Sequence, residues 1–337
     1  MGLLSRIAAT IIMEGTKPTY LGIDFGGDHF MWCPNRKGNI YIATVCCEQR
    51  CLVLTGLQRV QCLPGDAPPF QRLVNLLKNR EFTAAGIDAP FSVPCEYLPR
   101  GGHRALLEQV SRIEHQNRPF PEAREFVRNV LAGRIMSSKK PLRETELAWS
   151  REGINVRSTL WAGPRGGAAM TAACLALLRE SGCPIWPWDR PSDPRGLLVE
   201  AFPAAQPSHW RLDFQGYNGN KTGAAAKRKE LVASVSQWIE IPDDLLRKEM
   251  KMSADALDAV LCAFAAIAVM TNPVSYTHLD VYKRQGKLNR VKPINRSVNS
   301  YTPAGPLLRN NSSFSPFWIQ GAVNCGSLGS SNTMLPG

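Results

Sequence analysis

Three short apolar runs in this chain each stop on a single acid: Gly22-Ile23-Asp24, Gly86-Ile87-Asp88 and Val199-Glu200. Glycine or proline follows each within a few residues, at Gly26-Gly27, Pro90 and Pro203. A carboxylate at the end of a buried strand is costly unless turn amides, water or a metal satisfy it. If the three strands are neighbours, their ends lie ~4.8 Å apart per step and the carboxylates converge. Asp255 and Asp258 stand three apart in an otherwise apolar helical stretch, so they share a face. Four or five carboxylates in one place repel one another unless a cation neutralises them. No His or Cys belongs to this pattern, so the donor chemistry suits Mg2+ or Mn2+ better than Zn2+. Two such ions about 3.5–4 Å apart would suit in-line phosphoryl displacement, one activating water and the other stabilising the leaving oxygen. Each acid also has a local reading. Asp24 can satisfy turn amides, Asp88 can form an Asx-turn ahead of Pro90, Glu200 can pair with an arginine, and Asp255 can cap a helix after Ser253. Asp258, mid-helix among Leu257, Val260 and Leu261, has the weakest local explanation.

The elements that must hold these acids follow from periodicity. Residues 20–24 read as a strand and turn. Residues 29–33 and 40–47 read as strands of a hairpin around Asn35-Arg36-Lys37-Gly38. Residues 51–57 are strand-like, with a continuation toward 63. Phe70, Leu73, Val74 and Leu77 recur at helical spacing over 68–79, and 84–88 is a second buried strand. About a hundred mostly helical residues come next, with helices at 103–115, 121–132 and 168–180. Residues 196–200 form a third buried strand, and helices at 224–239 and 254–270 close the pattern.

Basic and aromatic residues allow two readings each. Arg143 in Arg143-Glu144-Thr145-Glu146 can sit on a phosphate with Glu146 beside the metals, or form a helix-terminal ion pair on a solvated face. Lys221 and Lys227-Arg228-Lys229 open a helix, where cations oppose the dipole. That hints at a nearby anion, although a solvated basic face is the commoner outcome. Trp186, Trp188 and Trp210 could stack on bases but read better as packing. Arg165-Gly166-Gly167 resembles an anion-binding turn. His103, His115 and His209 lack metal-like partners and read as surface or capping residues.

The order strand, hairpin, helix, strand, insertion, strand, helix resembles the ribonuclease H-like fold. That implies an α/β domain with a mixed five-stranded sheet flanked by helices, and a helical insertion of about 96–195 between strands four and five. More narrowly, Gly22-Ile-Asp-Phe-Gly-Gly27, Gly86-Ile-Asp-Ala-Pro-Phe-Ser-Val-Pro94, Arg143-Glu-Thr-Glu146, Val199-Glu-Ala-Phe-Pro203 and Asp255-Ala-Leu-Asp-Ala-Val-Leu-Cys-Ala263 resemble the domain-of-unknown-function 429 family over about 17–273. The resemblance implies a divalent-metal-dependent nuclease acting on DNA or RNA. Asp24, Asp88 and Asp258 would hold Mg2+ or Mn2+, Asp255 and Glu200 would assist, and Arg143 and Lys221 would hold the scissile phosphate. Two other classes stay open. Asp24-Phe25-Gly26-Gly27 also resembles the first phosphate loop of actin-like ATP phosphotransferases, but the second loop and adenosine turn of that class are not evident after Glu200. A non-catalytic nucleic-acid-binding module would use the acids only to satisfy turns.

The chain has 337 residues, a formal charge of +12 and 20% charged residues, enough for a large core and unlike a solvated disordered polymer. No apolar run is expected to reach the roughly 18–20 residues of a membrane span. Residues 1–16 read as an extension with a poor secretory pattern, Arg6 breaks the myristoylation pattern, and Met13 is a candidate start. Ten irregularly spaced cysteines suggest reduced thiols and a cytoplasmic protein. Residues 274–337 carry seven basic residues and one acid, half of the excess charge. Within them, 274–285 resemble a peptide that recurs in translated metagenomic assemblies as adapter read-through. The natural domain is therefore expected to break near Pro273.

Overall fold

The computed structural model describes residues 17–36, 38–48, 51–189, 195–213, 215–219 and 222–271. The expected extension at 1–16, the expected tail at 274–337 and Lys221 lie outside the described residues.

Five strands form one mixed sheet: β1 (Thr19–Ile23), β2 (Tyr41–Glu48), β3 (Cys51–Arg59), β4 (Ala84–Ile87) and β5 (Leu197–Glu200), in the order β3-β2-β1-β4-β5. β2 runs antiparallel to β1 and β3, whereas β4 is parallel to both β1 and β5. This is the α/β class and mixed five-stranded sheet expected from the motif order. The hairpin, however, is β2–β3. His29–Trp32 is a single 3-10 turn, because the Asp28 side chain accepts the Phe30 N–H and caps it.

Helices cover both faces. Leu21, Ile23, Ala85, Ile87 and Leu198 face one core, shared with α1 (Pro69–Asn79), α2 (Gly102–Ser111), α3 (Ala123–Leu131) and α5 (Ala168–Ser181). Tyr20, Ala43, Ala84, Leu197 and Val199 face the other, shared with α7 (Ala224–Val235), α8 (Asp244–Met252) and α9 (Ala254–Thr271). Strand alternation makes this division. The short helices α4 (Glu144–Arg151) and α6 (Ala205–His209) carry no strong sequence period; α8 is amphipathic and buries Met250, yet it too was not anticipated. His103 is a correction. It is buried, bonds the Phe91 carbonyl oxygen at 2.6 Å and stacks on Trp188 with centroids 3.7 Å apart.

The hydropathy expectation is corrected too. The 18 residues of α9 are long and apolar enough to cross a membrane, but 78% of that window is buried inside this fold. α9 is the core helix laid across β1, β2, β4 and β5. It lies unusually close to the sheet because Gly22 and Gly86, register partners on β1 and β4, offer no side chains beneath it. A Cβ added at Gly22 would stand 1.9 Å from the Ala259 carbonyl oxygen, and one at Gly86 would stand 2.0 Å from that of Cys262.

Gly22→Ala should therefore lower the unfolding free energy by about 1–3 kcal/mol or more, the usual range for overpacking. Gly56→Ala, whose Cβ would meet only Thr44 at 3.5 Å, should cost less than ~1 kcal/mol. Urea denaturation separates the two. Equal costs would show that α9 can lift away freely.

Candidate active site: carboxylates beneath the last helix

The site is built at the C-terminal ends of the parallel strands, where open α/β sheets usually place ligands. The Asp24 N–H reaches the Tyr41 carbonyl oxygen at 3.0 Å and the Asp88 N–H reaches that of Ile23 at 2.9 Å, so each acid extends its strand by one position. Two residues beyond Gly22 and Gly86, they share the face turned toward α9. α9 in turn presents Asp255 and Asp258 from its first turns. Ser253 caps that helix, its Oγ accepting the Ala256 N–H at 3.2 Å, so Asp255 is not the cap.

The carboxylates feel one another. Partial burial and the charges of Asp258, Asp88 and Asp255, in that order, raise the pKa of Asp24 well above the carboxylate range. Asp88 is raised by burial and Asp258, with Arg157 opposing and Glu200 adding a smaller effect. Burial lifts Asp258 to about 7, although the bond that it accepts from Tyr217 pulls the other way. Asp255 is also raised by burial, against the opposing charges of Arg228 and Arg59. Thus Asp24, Asp88 and Asp258 meet in one neighbourhood with Asp255 at its edge. Among the described residues, no ion pair to any of these four carboxylates is found within bonding distance.

Glu200 and Arg143 do something else. Glu200 follows Leu198 on the opposite face and pairs in register with Ile87. Arg143 grips it through two bonds, Nη1 to Oε2 at 2.8 Å and Nη2 to Oε1 at 2.6 Å. Arg143 Nε also donates to Glu146 Oε1 at 2.7 Å, and Glu146 Oε2 accepts the Arg143 backbone N–H at 2.7 Å. Glu200 further accepts the Phe91 N–H at 2.9 Å. The two carboxylates hold Arg143 firmly protonated despite its burial. This is a buried, fully bonded ion triad that ties the start of α4 to the end of β5. The guanidinium is used up by protein carboxylates.

The basic helix start resolves similarly. Arg228 is buried and donates to the carbonyl oxygens of Lys251 at 3.0 Å and Tyr217 at 2.6 Å, while Lys227 pairs with Asp213 at 2.7 Å. Arg228 thereby fixes the loop that carries Tyr217, whose hydroxyl donates to Asp258 Oδ1 at 2.6 Å. Sequence reasoning missed Tyr217, because an aromatic in a Gly216-Tyr-Asn-Gly219 loop has no period to mark it. Gly27 is explained by packing: a Cβ there would stand 2.2 Å from the Met170 nitrogen at the start of α5. Trp186 is buried, and Trp210 stacks on Trp238 and meets Phe264 edge-on.

Beside the acids opens a cleft of about 590 Å3, lined among others by Asp88, Asp258, Arg157, Trp149 and Phe202. Whether the carboxylates fit a divalent cation depends on charge and on donor position. Their charge and oxygen-only chemistry fit a hard cation, which would offset the burial that raises all four pKa values and the mutual repulsion that adds to it at Asp24, Asp88 and Asp258. Their positions do not form a closed cage: among the described residues, no group of three or more His, Cys, Asp or Glu side chains is already arranged around one ion. Asp258 Oδ1 is meanwhile occupied by Tyr217.

Comparison with known proteins gives a family but no activity. The family model described as "Protein of unknown function (DUF429)" matches residues 22–279, and the chain belongs to that family. The match runs a few residues past Pro273, where the natural domain was expected to break. No curated protein and no solved structure matches the chain.

The raised pKa values make a signed prediction. Asp258 rises from 3.8 to about 7 on folding, so the native state binds more protons than the unfolded chain between those values. Metal-free protein should therefore lose stability as pH rises from about 4 to about 7. Asp258→Asn should flatten that slope, as read from melting temperatures in EDTA. A wild-type curve that climbs across the same window would contradict the burial-raised Asp258 carboxyl.

Proposed function

We propose that this member of the DUF429 family is a divalent-metal-dependent phosphodiesterase acting on nucleic acid. One observation carries the reading: three acids far apart in sequence, Asp24, Asp88 and Asp258, converge beside an open cleft, with no cation bonded to them among the described residues. Structural carboxylates are ordinarily paired, as Glu146 and Glu200 are with Arg143. Retaining an unbalanced cluster lowers stability, and functional sites are where such clusters concentrate.

In this reading Asp24, Asp88 and Asp258 would hold Mg2+ or Mn2+, which when bound would supply Lewis-acid activation of water and charge stabilisation at the leaving oxygen. The remaining work falls to the chain. Tyr217, fixed through Arg228, orients Asp258 by its hydroxyl bond. Asp255 adds negative charge at the rim, strengthening the demand for a cation. The Arg143 triad holds α4 against β5 and so keeps the cleft wall in place. The nine described cysteines are all free, which suits a reducing, cytoplasmic setting.

The test is a pair of measurements on the same proteins. Mn2+ should raise the melting temperature of the wild type and promote cleavage of a fluorescent oligonucleotide. Asp24→Asn should remove both responses, lowering cleavage by more than the roughly 10–100-fold that loss of an outer metal partner costs. Equal cleavage by wild type and Asp24→Asn would reject the assignment.

A further inference from the structure

The cleft beside the carboxylates has walls of its own, and they bear on which form of substrate enters. Its volume of about 590 Å3 is that of a site for one small ligand, not a groove for a helix. Two arginines line it. Arg143 is bound on both sides by Glu146 and Glu200. Arg157 is exposed, forms no hydrogen bond or ion pair with a described residue, and lies close enough to Asp88 for its charge to oppose the rise in that carboxyl's pKa. It is the cation available to an anionic ligand among the described lining residues.

Aromatic surface lies in the same space. Trp149 and Phe202 are both half-buried, with ring centroids 6.3 Å apart and planes inclined at 58°. Rings so tilted offer a face for stacking but not a parallel slot. Their placement follows from the ion triad. Trp149 lies three residues beyond Glu146 on α4, hence on the same side of the helix, and Phe202 lies two residues beyond Glu200. The bonds of Arg143 to both glutamates therefore bring the two rings together. The exposed amides of Gln215 and Asn218 complete the lining with donors and acceptors.

We propose that this cleft binds one unstacked nucleotide of a strand, with its base on the Trp149–Phe202 surface and its phosphate on Arg157. The protein then takes single strands and frayed ends in preference to continuous duplex, because a base inside a duplex has no free face to offer. The inference deepens the phosphodiesterase reading and depends on it only for its consequence in cleavage. Binding can be judged separately.

Binding of a labelled single-stranded oligonucleotide is measured by fluorescence anisotropy in Mg2+, in the full chain carrying Asp24→Asn so that the probe stays intact. Adding Trp149→Ala should weaken it roughly tenfold, within the usual cost of losing one base stack. Phe202→Leu, a milder change, should weaken it in the same direction. Arg157→Gln should weaken it and reduce the slope of log affinity against log salt by about one phosphate contact. In the otherwise wild-type chain, all three should keep a Mn2+-induced rise in melting temperature, although Trp149→Ala and Phe202→Leu also remove packing between two half-buried rings. Binding of a blunt duplex as tight as that of the single strand would overturn the proposal, as would single-strand binding indifferent to all three substitutions. Loss of binding in these variants without any cleavage by the wild type would keep the nucleotide site and reject hydrolysis. Acid-dependent cleavage with a KM unmoved by Trp149→Ala and Arg157→Gln would do the reverse.

Discussion

The contact on which the rest of the molecule depends is backbone against backbone. α9 rests on the sheet at Gly22 and Gly86, where even one methyl group would collide with its carbonyl oxygens. The helix stretch that makes this approach is rich in small residues, with Ala256, Ala259, Ala263 and Ala266 all buried. Close seating has two effects. It removes much apolar surface from water around the central strands, and it lowers Asp255 and Asp258 to the level of Asp24 and Asp88. The packing that stabilises the fold thus forces together groups that repel. Burial energy of the kind supplied by a long apolar helix can support such a cluster, whereas an exposed helix could simply swing away.

Two ionic systems occupy the same end of the sheet on opposite faces, and their contrast is informative. Arg143, Glu146 and Glu200 form a closed set in which every charged group has a short partner. Breaking such a buried set by removing one member is strongly destabilising. The aspartate set beneath α9 has only a tyrosine hydroxyl bonded to it among the described residues. One set is finished by the protein itself. The other is left open toward a cleft and shares with it Asp88 and Asp258. The open set is where an external cation and an anionic ligand would complete the charge balance.

Much of this was legible in the sequence, for identifiable reasons. Acids ending apolar runs marked Asp24 and Asp88, and an acid inside an apolar helical stretch marked Asp258. These are violations of burial rules, and such violations are visible one residue at a time. The five strands were marked by their periods, but 29–33 carried the same mark and folds as a 3-10 turn, so the hairpin was misplaced. The orientation of Glu200 did not stand out, although alternation along β5 sends it to the face opposite Asp24. Its pairing with Arg143, 57 residues away, has no local trace. Tyr217, Arg157, Trp149 and Phe202 were also invisible, since loop and helix-surface residues acquire a common neighbourhood only through folding. The aromatic signal was read at Trp186, Trp188 and Trp210, whose rings are engaged in packing. Conversely, the hydropathy of α9 was underestimated, because its alanines are weakly apolar singly but add to its Val, Leu, Ile and Phe residues over an eighteen-residue helix interrupted only by Asp255 and Asp258.

A cation shared by the carboxylates beneath α9 is tested most directly by anomalous diffraction from crystals grown with Mn2+. An anomalous peak within coordination distance of the carboxyl oxygens of Asp24, Asp88 and Asp258, with Tyr217 still beside Asp258, is the predicted result. A well-diffracting crystal with no peak there, or with Mn2+ bound only at other acids, would contradict it.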